Sequence, residues 1–257
     1  MTELVPAIEP DESERIHRFL VREVDAARAT GVVLGLSGGI DSALTARLAR
    51  DALGPDRVLG LLLPDREYPA ALREETMGYA RELGIRFEVI ELEPIEESVV
   101  AALGGRADLI DRGNIKARLR MLLLYARARP LGRLVAGTGN RSELELGYFT
   151  KFGDGGADLL PLGHLYKTQV QALARSLGLP AAIQERAPTA GLWEGQTDEA
   201  ELGLPYARLD PILVGLARGL PEAEIAQRTG AGPAEIRSVG DRVRRHRHKR
   251  LLPPTPA

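Results

Sequence analysis

Gly35-Leu36-Ser37-Gly38-Gly39-Ile40-Asp41-Ser42 is the stretch whose residue types and spacing most directly suggest chemistry. The apolar run Val32-Val33-Leu34 precedes it, and a helical run with Leu44 and Leu48 four apart follows it. It therefore reads as strand, tight loop, helix. Such a loop offers free N–H groups and the positive end of a helix dipole. Its glycines let the backbone close on an anion, and Ser37 and Ser42 add hydroxyls. Asp41 would repel a phosphate unless a cation lay between them, so its natural role is as a Mg²⁺ ligand. A plain capped βα turn accounts for the glycines and one serine, but not for the whole string.

Two further stretches share this character. Gly137-Thr138-Gly139-Asn140, with Glu143 behind it, ends a short apolar run at 134–136. Residues 147–158, Gly-Tyr-Phe-Thr-Lys-Phe-Gly-Asp-Gly-Gly-Ala-Asp, have neither helix nor strand period and carry Lys151, Asp154 and Asp158. The alternating carboxylates of a calcium loop are missing, which favours a substrate-binding loop. Of 34 basic residues only Lys116, Lys151, Lys167 and Lys249 are Lys, and the only Asn are Asn114 and Asn140. A chain so biased toward Arg keeps Lys where a compact point charge serves better than a planar fork. Lys167 opens a helical run. A cation there opposes the helix dipole unless an anion is shared, and a phosphate would supply one. Asn114 and Arg118 share a helix face suited to a polar ligand or to solvent.

The elements that must position these residues follow from periodicity and breakers. Helices are expected over 10–30, 43–53, 69–83, 93–103, 108–128 and 165–177, strands over 32–34, 58–63, 87–92 and 134–136, and Pro/Gly-punctuated helices from Tyr206 onward. The βαβα alternation predicts an α/β fold: a doubly wound, mostly parallel sheet flanked by helices, with a helical C-terminal part. Ligands bind outside the carboxyl ends of such strands. Thr197 is placed to cap a short helix from Asp198. Residues 242–250 read as a basic face and 251–257 as a flexible tail. No repeat or linker divides the chain, so a single domain over 1–257 is expected.

Composition narrows the function classes. The 257 residues are 44% hydrophobic and 27% charged with net charge −2, an ordinary globular balance with no strong field for nucleic acid or membrane. The absence of cysteine excludes disulfides, thiolate metal sites and thiol nucleophiles. No apolar run reaches membrane-spanning length, and the acidic N-terminal stretch with Glu3, Asp11, Glu12 and Glu14 is unlike a signal peptide. A cytoplasmic location is the default expectation.

Ser-Gly-Gly-Ile-Asp-Ser resembles the pyrophosphate loop of the ATP pyrophosphatase superfamily. Asn-Ile-Lys-Ala-Arg, Gly-Thr-Gly-Asn-Arg-Ser-Glu, the loop 147–158, Leu-Tyr-Lys-Thr-Gln-Val, Gln196-Thr-Asp-Glu and His248-Lys249-Arg250 extend the resemblance to the NAD synthetase family over nearly the whole chain. The resemblance implies ATP- and Mg²⁺-dependent adenylation of the nicotinate carboxylate of deamido-NAD, followed by attack of ammonia. By motif position, Gly35, Leu36, Ser37, Gly38, Gly39, Ile40, Asp41 and Ser42 would hold ATP with Thr138, Lys167 and Thr189. Asp41 and Glu143 would ligate Mg²⁺. Asn114, Arg118, Lys151, Asp158, His248 and Lys249 would bind deamido-NAD. Asp154, Asp41 and Lys167 would be catalytic, with Asp154 holding the ammonia. The resemblance also implies a homodimer formed through the long helix from Asp108, and, with no cysteine for a glutaminase, ammonia taken free or from a separate protein. Residues 64–68 match no diagnostic version, so adenine contacts stay unassigned. Two alternatives remain open: another ATP pyrophosphatase, such as a GMP synthetase-like or tRNA-modifying enzyme, and a nucleotide sensor without chemistry.

Overall fold

In this computed structural model, which describes residues 4–193 and 195–256, four parallel strands form one sheet: β1 (Val32–Gly35), β2 (Val58–Leu62), β3 (Arg86–Val89) and β4 (Leu134–Val135). Their order is β3-β2-β1-β4. Val32 pairs with both Val58 and Leu134, which fixes the register of β2, β1 and β4. Glu3 of the acidic N-terminal stretch and Ala257 of the expected tail lie outside the described residues.

Helices cover both faces, as the buried strand pattern requires. Strand residues alternate between two apolar layers. Val32, Leu34 and Val58 pack with Ile16, Leu20 and Val24 of α1 (Glu12–Ala26), with Leu44 and Leu48 of α2 (Ile40–Leu53), and with Tyr79 and Ala80 of α3 (Ala70–Glu82). Val33, Leu59, Leu61 and Val135 pack beneath Leu123, Leu124 and Ala128 of α5 (Leu109–Ala128), which follows α4 (Glu93–Ala102). Leu20, Leu34, Leu44 and Leu48 are fully buried, each worth about 1.5–3 kcal/mol.

After β4 the chain forms α6 (Arg141–Leu146), then a long loop, α7 (Lys167–Ser176), α8 (Ala181–Gln184) and α9 (Asp198–Leu202). Thr197 Oγ1 accepts the Ala200 N–H at α9, as its capping position predicts. A second core joins α6 to α10 (Tyr206–Ala217), α11 (Glu222–Thr229) and α12 (Pro233–Arg245) through Leu146, Ile212, Ile225 and Ile236. Residues 251–256 are exposed and carry no helix or strand. The expected fourth strand is shorter than 134–136. Ala136 instead makes an isolated parallel bridge to Leu159, so the loop 147–158 returns alongside the end of β4.

This order makes β1 and β4 the switch point, where the connections leave in opposite directions and their loops part. The loops after β1 and β4 are those singled out for chemistry.

Candidate active site

The loop between β1 and α2 turns through Gly38 at φ +75°, a left-handed conformation suited to glycine. A Cβ there would come within 2.6 Å of Leu72 Cδ1 and Thr76 Oγ1. Ser42 Oγ donates to Gly39 O at 2.9 Å and accepts the Ser37 N–H at 3.2 Å, and Ser37 Oγ lies 3.0 Å from Ser42 Oγ. The two serines, expected as donors to an anion, are thus engaged in bracing the turn. Gly39 is the N-cap of α2 and supplies no side-chain acceptor, so the first-turn N–H groups of Ile40, Asp41 and Ser42 go uncapped. Such groups at the positive end of a 14-residue helix suit a phosphate. Leu36 is buried beneath them, and Gly35 ends the strand.

Asp41, in the first turn of α2, meets residues from two other elements. Its Oδ1 accepts from Asn140 Nδ2 at 2.9 Å, and its Oδ2 lies 2.5 Å from Lys167 Nζ. Asn140 also forms a capping box with Glu143 at the start of α6, each side chain accepting the other's backbone N–H at 3.1 Å. Glu143 Oε1 is 3.8 Å from Lys167 Nζ. Lys167 opens α7 and is 2% exposed, so its charge needs these partners. The anion its helix position called for is the Asp41 carboxylate. Burial would lower the Lys167 pKa, but Asp41 and Glu143 outweigh it and hold the ammonium. Burial first, and then the Asp41 charge, push the Glu143 carboxyl up to about 8.

Side chains absent from the expected set hold this cluster in place. Asp210 of α10 is fully buried. It accepts from Ser142 Oγ at 2.6 Å, Thr168 N at 2.8 Å and Thr168 Oγ1 at 2.7 Å, tying the starts of α6 and α7 together. Ser142 Oγ in turn accepts the Lys167 N–H at 2.9 Å. Asp198, also buried, accepts from Tyr206 OH at 2.9 Å, and the Tyr206 ring lies 5.5 Å from Lys167 Nζ. Desolvation raises the Asp198 pKa. A lone Asp inside the stripe Leu209-Asp210-Pro211-Ile212 was the one sequence signal for the Asp210 anchor.

At the end of β2, residues 64–68 form part of a buried ionic knot. Asp65 Oδ2 sits 3.1 Å from Lys116 Nζ and 3.2 Å from Arg120 Nη2, and Lys116 also reaches Leu192 O at 3.2 Å. Lys116, grouped by sequence with the polar residues of α5, is 5% exposed.

Loop 147–158 forms a second cluster. Thr150 Oγ1 donates to Asn114 Oδ1 at 3.0 Å, which joins the loop to α5. Asp154 Oδ1 accepts the Thr150 N–H at 2.8 Å. Desolvation of this inward-turned carboxyl raises its pKa, although much of the residue faces solvent. Phe152 is exposed at φ +61°, a strained conformation for a bulky side chain. Lys151 Nζ reaches His248 O at 2.8 Å, and Lys249 Nζ reaches Gly147 O and Phe149 O at 2.7 Å each. The basic residues 242–250 are therefore not all a free face: Lys249 and Arg250 bind carbonyls of α6 and the loop. Asp158 accepts from Val135 N at 2.8 Å and Tyr125 OH at 3.0 Å, so it seals the edge of β4.

The structure thus joins Ser37, Ser42, Asp41, Glu143 and Lys167 in one cluster, and Asn114, Lys151, Asp154, His248 and Lys249 around the loop. Arg118 is exposed with no polar partner among the described residues. Thr138 makes no hydrogen bond among them, and exposed Thr189 accepts only from Gly191 N, at 3.0 Å.

The profile of the NAD synthase family matches residues 12–253. An NH(3)-dependent NAD(+) synthetase of Methanosarcina acetivorans is 46% identical over 94% of this chain and 96% of its own. Among solved structures, an NMN synthetase from Francisella tularensis superposes with a TM-score of 0.86 at 36% identity, covering 97% of this chain and 99% of that one. An NH3-dependent NAD synthetase from Campylobacter jejuni superposes at 0.82 and 31%, covering 98% and 100%. With the β1–α2 loop and the Asp41–Lys167–Glu143 cluster standing at the switch point of its sheet, the chain belongs to the NAD synthase family.

Proposed function

We propose that this protein amidates deamido-NAD with ammonia at the expense of ATP, giving NAD, AMP and pyrophosphate. The observation that carries the reading is the buried Lys167, held by Asp41 and Glu143 behind the uncapped first turn of α2. A carboxylate is a poor electrophile. Attack of its oxygen on the α-phosphorus expels pyrophosphate and leaves an acyl adenylate. Ammonia then adds to the acyl carbon, a proton leaves the nitrogen, and AMP departs. Lys167 places a fixed positive charge where the phosphate chain becomes more negative, and the α2 amides receive the pyrophosphate. Asp154 accepts the proton of the attacking ammonia. Arg118, Lys151, Asp158, His248 and Lys249 line the deamido-NAD side, and Thr138 and Thr189 the ATP side.

The donor set also fits Mg²⁺. Asp41 and Glu143 are hard oxygen ligands converging on one cationic point, now taken by Lys167 Nζ. No three metal-ligating side chains cluster among the described residues, so an ion there would take further oxygens from phosphate and water, as Mg²⁺ does. When bound it would neutralise phosphate charge. The exposed apolar residues Leu109, Ile110 and Leu122 of α5 make this helix the element for a homodimer. No described helix is long and apolar enough to cross a membrane, consistent with a cytoplasmic enzyme.

The test is a product assay with ATP, Mg²⁺ and either ammonium or glutamine. Deamido-NAD and nicotinate mononucleotide are compared as acceptors, since a structural relative is an NMN synthetase. NAD and AMP forming together from deamido-NAD with ammonium, and not with glutamine, support the reading. Faster turnover of the mononucleotide would transfer the chemistry to that substrate. Nucleotide binding without AMP would favour a sensor.

A further inference from the structure

Two side chains outside the Ser-Gly-Gly-Ile-Asp-Ser string grip its backbone from behind. Tyr68 OH donates to Ser37 O at 3.0 Å and lies 3.0 Å from Thr76 Oγ1. Arg186 donates through Nη1 to Gly38 O and through Nη2 to Glu75. Successive loop carbonyls are therefore held by donors on the side of α3 and the segment after α8. A peptide plane whose C=O is fixed has its N–H fixed on the opposite side. We infer that Tyr68 and Arg186 are positioning residues for the pyrophosphate loop, keeping the carbonyls of Ser37 and Gly38 turned away from the phosphates and the Gly38 N–H turned toward them, while the Gly39 N–H is held by Ser37 Oγ at 3.3 Å.

The inference rests on reading this loop as the pyrophosphate site. The loop's own hydroxyls hold the Ser37 and Gly39 N–H groups, each other and Gly39 O, which leaves the carbonyls of Ser37 and Gly38 to an outside grip. A freely turning Gly38 would present its carbonyl to the ligand in part of the population, placing a partial negative charge against an anion. The small cavity of about 10 Å³ lined by Gly38, Ser42, Thr76 and Arg186 leaves room for little more than one water between loop and α3. Arg186 remains partly accessible, its side chain 26% exposed, so its substitution does not empty a core.

The test measures the inhibition constant of pyrophosphate against ATP, and KM for ATP and for deamido-NAD, in the wild type, R186A, R186K and Y68F. Melting temperatures verify folding. The inference predicts that R186A raises both the pyrophosphate constant and the ATP KM about tenfold while the deamido-NAD KM stays within twofold. Y68F, which loses a single hydroxyl, shifts the same two constants several-fold, and R186K recovers part of the loss. Unchanged pyrophosphate inhibition in both R186A and Y68F, or equal rises in both KM values, would overturn it. A wild-type enzyme that pyrophosphate does not inhibit would remove the reading of the loop itself, and the inference with it.

Discussion

Around Lys167 the contacts run side chain to side chain about a buried ammonium, whereas on loop 147–158 the cations Lys151 and Lys249 reach for backbone carbonyls near the surface. The difference bears on what each region can do when ligands arrive. A buried ion pair is costly to break, because the partner left behind remains a desolvated charge. An ammonium on neutral carbonyls can exchange them for a phosphate or carboxylate and gain a stronger, charge-assisted bond. On the proposed function, the ATP side is then preformed and the deamido-NAD side rearranges around its ligand.

The sharpest way to break this comparison is to remove the buried charge. Lys167→Met is expected to lower kcat by about 10²–10³-fold, the loss usual for a single donor to a developing charge, and to unbalance Asp41 and Glu143. Steady-state kinetics checks this; a variant within tenfold of wild type would mean that Lys167 only fills space. Asp154→Asn acts on the open side. It should slow amide formation by about 10²-fold while pyrophosphate release, followed in a single turnover, stays near the wild-type rate. Equal loss of both steps would deny Asp154 a role in handling ammonia.

Stability sharpens the contrast. Asp210→Ala strips three acceptor contacts from the starts of α6 and α7 and should cost about 3 kcal/mol by denaturant titration. Lys151→Met, on the open side, should cost under about 1 kcal/mol, since one exposed bond to a carbonyl is lost.

The smallest expected effect is with pH. Glu143 is raised from 4.5 to about 8, so the ligand-free fold holds a proton that the unfolded chain releases. That contribution to stability is complete below pH 4.5 and is lost as pH rises through 8. Conversely, Mg²⁺ needs the ionised carboxylate, so its apparent affinity should climb toward pH 8 and then level. Melting curves with and without Mg²⁺ across pH 6–9 check both trends, and Glu143→Gln should flatten them.

The sheet, its flanking helices and the two loops at the switch point were legible because each rests on local signals: apolar runs, glycine breaks and helix periods. The need of Lys167 for an anion was also legible from its place at a helix start; that Asp41 stands beside it was not. The clamps were not. Asp210 is 68 residues from Ser142, Asp65 is 51 from Lys116, and Arg186 is 148 from Gly38, so only tertiary packing brings them together. Asn140 was flagged by its rarity and by its loop after the fourth strand, although the Asn140…Glu143 spacing of a capping box was also present in the sequence. Asp158 was named by the resemblance; its contacts to the Val135 N–H and the Tyr125 hydroxyl, which hold the backbone of β4, were not legible.

The most direct test of the account is to follow oxygen. Deamido-NAD labelled with ¹⁸O in both carboxylate positions is turned over with ATP, Mg²⁺ and ammonium, and the products are weighed by mass spectrometry. If the carboxylate attacks the α-phosphorus, one ¹⁸O passes into AMP and one stays in the amide of NAD. Label in pyrophosphate or lost to water, with unlabelled AMP, would contradict an acyl adenylate at this site.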